Sequence, residues 1–349
     1  MHFGAFMEFS NRAGVPEAQA FQEGFRMVDA AEEMGLDGVW LAELHFNPAR
    51  SVLSSPIIVA TSIATRTKRL RVGMAVYVLP LSNPLRIAEE VATVDHISEG
   101  RFEFGIGRSG FARSYDVFSI PYNESQERFA ESLEIILQAW KGKEFSYQGN
   151  HYTVENATVT PAPYQQPHPP LRIAANSADT FTRLGQAGHP IFVGLRGMDI
   201  PELSKNVLEY RRRWREAGHP GEGDVSLRIP VYAGETQQQA MDEPFESISG
   251  YFGRMGNLYR ERAWKAGLEV TELADGRAER LAALSYDEML ETKIAFGTAE
   301  DLVDRFTQLK EELGLDGVVA ELNPGGLIPE ERVLRSLRIL TEKVMPAFK

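Results

Sequence analysis

A single (β/α)₈ TIM barrel is the fold class this sequence predicts, on three observations. Eight short β-rich runs alternate with longer helical patterns. The 349 residues fit one such barrel carrying insertions. "GLDGVWLAE" (Gly35–Glu43) is echoed near the other end by "GLDGVVAEL" (Gly314–Leu322). In each, a glycine ends a helix, Asp-Gly turns the chain, and an apolar run enters the barrel. Common entry geometry explains so local a similarity better than duplication.

The first strand is "HFGAFME" (His2–Glu8), followed by a helix from about Pro16 to Met34. There Phe21, Phe25, Val28 and Ala31 recur at three- and four-residue intervals. "DGVWLAE" is the second strand and "SPIIVATSIATRT" the next helix. "LRVGMAVYVLP" reads as a third strand, and "NPLRIAEEVATVDHIS" as a helix capped by Asn83 with Pro84 at its first position. "RFEFGIG" is the fourth strand, before an amphipathic helix ending at Gly142. "LRIAA", "PIFVGL", "VSLRIPVYAG" and "LDGVVAELN" are strands five to eight. Two stretches break the rhythm: hairpin-like, proline-rich residues 145–170, and charged helical residues 237–290, too long for one crossover. The expectation is one domain over 1–349 with insertions at those two places.

Composition narrows the function. Apolar residues make up 43% and charged residues 25%, a balance that supports a large core. Lys and Arg total 37 against 49 Asp and Glu, a net charge of −12 that repels nucleic-acid backbones. Cys is absent, which excludes disulfides, thiol catalysis and thiolate metal sites. With no His-x-His and no HExxH, no metal site is expected. No apolar run suits a bilayer span, and the N-terminal residues lack a signal-peptide pattern, so a cytoplasmic location is expected. The basic run "YRRRWREAGHP" (Tyr210–Pro220) has the spacing of a solvated helix face.

In such barrels chemistry lies at the C-terminal ends of the strands. Glu43, His45 and Phe46 follow strand two, and Glu321 and Asn323 follow strand eight. "GIGRSG" (Gly105–Gly110) ends strand four with Arg108 among glycines, where backbone amides and a guanidinium suit a phosphate. Strand five ends on Asn176, Ser177 and Thr180 at a helix start, a second half of a phosphate cradle. Each alone also fits an ordinary helix cap; together, on neighbouring strands, they point to a phosphate-bearing cofactor.

The stretches "FGAF", "GLDGVWLAELHF", "VGMAVYVLPLSNPLRIAEEVATVDHISEGRFEFGIGRSG", "RIAANSADT" and "VMP" resemble the bacterial-luciferase-like family of flavin-dependent monooxygenases, nearly end to end. The resemblance implies reduced FMN as cosubstrate, O2, a small organic substrate, a separate flavin reductase and a homodimer. It implies that Arg108, beside Gly107, pairs with the FMN phosphate, and that Ser177, Thr180 and the Asn176 backbone complete the cradle. It sets the Ala75–Val76 peptide where the family has a non-proline cis bond beneath the isoalloxazine.

Several positions depart from the family pattern. Leu44 aligns with the family's catalytic histidine, Gly107 with a reactive thiol, and Asn176 with a carboxylate. Gln126, with Arg128 nearby, stands for a second phosphate arginine. Aldehyde oxidation with light is therefore not expected. His45 is the nearest strand-end imidazole, suited to catalytic proton transfer or to a structural hydrogen bond. Neighbouring strand residues face opposite sides, so His45 need not occupy the missing histidine's place. Two other readings are a deazaflavin-dependent oxidoreductase on the same barrel and a non-catalytic flavin-binding or partner subunit.

Overall fold

The computed structural model describes residues 1–109, 111–265 and 277–349. Gly110, the last residue of "GIGRSG", and residues 266–276 of the second expected insertion lie outside the described residues. Eight parallel strands close into a barrel: β1 (His2–Met7), β2 (Gly38–Leu41), β3 (Arg71–Met74), β4 (Phe102–Gly107), β5 (Leu171–Ala174), β6 (Ile191–Gly194), β7 (Val225–Ala233) and β8 (Gly317–Glu321). The ring runs in chain order and is closed by β8 on β1, with Ala5 opposite Ala320. All eight are the strands expected from the sequence. Their nearly continuous burial is what a parallel sheet covered by helices requires.

The echoed "GLDGV" segments do the same physical work. Gly35 and Gly314 both take positive φ, 84° and 61°, at the ends of their helices. The Asp37 carboxylate then accepts from Phe3 N at 2.9 Å, and Asp316 from Val225 N at 2.9 Å. Each aspartate thus satisfies the N–H of a neighbouring strand's start, which would otherwise be buried unpaired.

Strand three differs from its sequence reading. The run leaves the ladder at Met74, and the two residues Tyr77 and Val78 rejoin β4 opposite Ile106 and Gly107. The Ala75–Val76 peptide between them is cis. Phe145–Gln148 and Thr153–Ala157 form an antiparallel hairpin outside the barrel sheet. Asn83 accepts from Leu85 N and Arg86 N, the cap its position predicts. On the basic helix Ile200–Glu216, Arg212 and Arg213 pair with Glu209 and Glu216 at three- and four-residue spacing, a solvated face.

Inward-facing side chains fill the barrel in layers. Trp40 crosses the interior, and a Cβ at Gly4 or Gly73 would lie 2.5 Å or 2.3 Å from its indole. Phe192 meets that indole edge-on at 4.9 Å, and Arg172, paired with Asp224, stacks beneath both. Among the described residues, no helix is long and apolar enough to cross a membrane.

Candidate active site

Above Trp40 the barrel mouth has an apolar floor. Phe6, Ala42, Leu44, Phe192 and Val319 cluster there, with Ala75, Val76 and Phe111 packed against them. Alternation along β2 sends Trp40, Ala42 and Leu44 inward. Leu44 is 7% exposed. Gly107 keeps the floor open: a Cβ there would sit 2.7 Å from Val76 Cγ2. Leu44, Ala75, Val76 and Gly107 therefore converge on one surface.

The polar rim begins where β4 and β5 end. These strands are neighbours, Ile106 opposite Ile173, so Arg108 and Asn176 leave adjacent strand ends. Arg108 Nη1 donates to Ser125 Oγ at 3.3 Å, and its carbonyl accepts from the Tyr115 hydroxyl. Those bonds aim the side chain, and among the described residues no carboxylate pairs with it. Ser177 is the extended residue before the helix Ala178–Ala187, yet its hydroxyl makes no cap bond and instead meets Thr180 Oγ1 at 2.8 Å. Asn176 and Ser177 are exposed and Thr180 half-buried, leaving the two hydroxyls at a positive helix end. Arg128 is engaged elsewhere: it pairs with Glu124 and stacks over Tyr152.

His45 faces away from the floor. Its ring lies edge-on to Phe118 at 5.1 Å, and its Nε2 is 2.7 Å from Glu43 Oε1. The other Glu43 oxygen accepts from Val78 N at 2.8 Å. Burial pushes the Glu43 carboxyl above the usual carboxylate range, against the hydrogen bonds from His45 and Val78. The pair therefore fastens the end of β2 to the backbone just beyond Val76.

Beside the floor, charge gathers just beyond the ends of β1 and β6, at Glu8 and Arg196, and on β7 and β8, at Arg228 and Glu321. Of these, only Glu321 drew attention from the strand-end reading. The signal was available, since a charged residue at an inward position of a buried strand has no bland role. At the ends of β1 and β8, between helices Glu17–Glu33 and Glu330–Ile339, lies a cavity of about 110 Å³ whose lining includes Phe6, Glu8 and Glu321.

A family model described as luciferase-like monooxygenase matches residues 1–317. The chain belongs to that family. Among relatives, the oxygenase component of flavin-dependent trigonelline monooxygenase from Acinetobacter baylyi is 25% identical over 337 residues, 95% of this chain and 91% of that one. F420-dependent glucose-6-phosphate dehydrogenase from Kineococcus radiotolerans is 32% identical over 209 residues, 58% of this chain and 60% of that one. The solved oxygenating constituent of 3,6-diketocamphane monooxygenase from Pseudomonas putida, in complex with FMN, superposes with a TM-score of 0.83 at 18% identity, covering 99% and 98% of the chains. That likeness concerns the fold. This luciferase-like chain shares with it a closed eight-stranded parallel barrel and flanking helices.

Proposed function

We propose that the protein is a flavin-dependent monooxygenase that takes reduced FMN from a separate reductase and oxygenates a small organic substrate. In the balanced reaction one atom of O2 enters the substrate and the other leaves as water. The two electrons come from reduced FMN. The observation that carries the reading is the pairing of a glycine-cleared apolar floor with an arginine that has no carboxylate partner among the described residues and a helix start on the adjacent strand end. Bound there, FMN supplies the two electrons and the site at which O2 reacts.

The chain's own residues have separable tasks. Arg108, Ser177 and Thr180 hold the phosphate, while Ala75, Val76, Gly107 and Leu44 receive the ring and exclude water. Asn176 contributes through its position at the same helix start. His45 acts as a positioning residue through Glu43 and Val78. Leu44 neither gives nor accepts a proton, so proton management falls to the substrate or to water. The relative named as an oxygenase component supports a reductase partner.

A second reading, hydride transfer by a deazaflavin, is favoured by the identity to the F420-dependent relative. Titration separates the two. Saturable binding of FMN is expected, together with oxygen-dependent product formation when reductase and NADH are supplied. Decanal should give little or no light, since loss of a general acid–base typically costs about 10²–10⁴ in rate. Binding of a deazaflavin with no FMN affinity would overturn the assignment.

We also propose a homodimer. Ile58 on the helix Pro56–Arg66 is 65% exposed, and Ile97, which ends the next helix, is 40% exposed. Light scattering at micromolar concentration should give twice the monomer mass; the monomer mass would refute it.

A further inference from the structure

The charged side of the mouth is a connected network. Arg50, from the loop after β2, donates through Nε to Glu8 Oε2 at 2.9 Å and through Nη2 to the other Glu8 oxygen. Arg228 Nη2 reaches Glu8 at 3.4 Å and Glu321 at 2.9 Å, and its guanidinium lies over the Phe6 ring. The Tyr251 hydroxyl is 3.3 Å from Glu321, and Arg196 Nη1 donates to Tyr251 at 3.1 Å. These groups are deeply placed: the Arg50 side chain is 10% exposed and that of Glu321 5%. Burying such a network is weak as a source of stability, because apolar residues of similar volume often serve as well.

One part of the network is left over. Arg50 Nη1 is buried and has no hydrogen-bond partner among the described residues. An unmet N–H on a guanidinium costs free energy that a bound acceptor would return. The same guanidinium lies over the ring of Phe111 at 5.4 Å, and Phe111 packs against the floor with Ala75 and Val76. The orphan donor therefore sits at the boundary between the apolar floor and the charged arc. It is cationic and donates only, so an anionic acceptor is its strongest complement, while an ammonium group would leave it unmet.

We infer that the substrate carries a carboxylate, held by Arg50 on the charged arc while the rest of the molecule lies over the apolar floor. The inference rests on the proposed function only in taking that floor as the flavin's place. A matched-probe experiment tests it: calorimetric titration of benzoate, hexanoate and nicotinate, each against its neutral amide, into the full-length protein. At least one acid should bind tenfold or more tightly than its amide. Arg50→Lys keeps a cation against Glu8 but lacks the second terminal nitrogen, and there the preference should fall to threefold or less. Thermal unfolding of that variant checks that the network still folds.

Equal binding of every acid and its amide by the wild type would overturn the inference. So would a preference that survives Arg50→Lys. A preference that disappears in Arg108→Ala, or that saturating FMN removes competitively, would place the acid in the phosphate cradle and also overturn it. Absence of FMN binding alongside an Arg50-dependent acid preference would instead remove the flavin reading and leave this one standing.

Discussion

Arg108→Ala should weaken FMN binding by about 2–4 kcal/mol, the scale of a lost buried charge-assisted contact, or roughly 30- to 1,000-fold in Kd. The expectation follows from what surrounds the side chain. Arg108 donates to the neutral Ser125 hydroxyl, and no carboxylate among its described partners neutralises it. The hydroxyls of Ser177 and Thr180, on the adjacent strand end, cannot replace its charge. Riboflavin, which lacks the phosphate, is the internal control and should bind wild type and variant alike. Unchanged FMN affinity in the variant would mean that the phosphate lies elsewhere.

Gly105→Ala should destabilise the fold by about 3 kcal/mol or more, at the severe end of overpacking. A Cβ at Gly105 would lie 1.8 Å from the Met74 carbonyl oxygen and 2.8 Å from Phe192 Cε2. The first of these is backbone, so no rotamer change relieves the contact. Gly194→Ala is the matched control, because a Cβ there meets only the Arg228 carbonyl at 3.5 Å, an ordinary contact. Urea midpoints for the two variants should differ clearly. A Gly105→Ala protein within 1 kcal/mol of wild type would show that β3 and β4 can separate at this point.

How legible the molecule was in its sequence depended on the length scale of the signal. Strands buried on both faces are nearly continuous apolar runs, so all eight stood out, and the two Asp-Gly turns marked two of their entrances. That Arg108, Asn176, Ser177 and Thr180 leave adjacent strand ends was legible too, because glycines, an arginine and a helix start are short-range patterns. The break after Met74 was legible only through the family resemblance, which set a cis bond at Ala75–Val76: "GMAVYV" is uniformly apolar, and the departure from the ladder depends on β4 lying against it through Gly105. The charged arc was missed for a related reason. Glu8, Arg50, Arg228 and Glu321 are far apart in sequence, and their pairing exists only once the barrel closes. His45 shows the intermediate case. Its strand-end position was evident, but only the fold reveals that Leu44 takes the inward place while His45 holds Glu43.

The indole of Trp40 spans the barrel where two glycines make room for it, with Phe192 and the Arg172–Asp224 pair filling the space alongside. Among the described residues, these side chains fill the barrel below the floor, which leaves the mouth as its way in. On the proposed function, flavin, oxygen and substrate would all enter from that mouth, with the flavin ring against the floor. Traffic would then be last in, first out, a substrate seated over the flavin barring it from leaving. Turnover would then require the product to depart before spent flavin could be exchanged for a fresh reduced molecule.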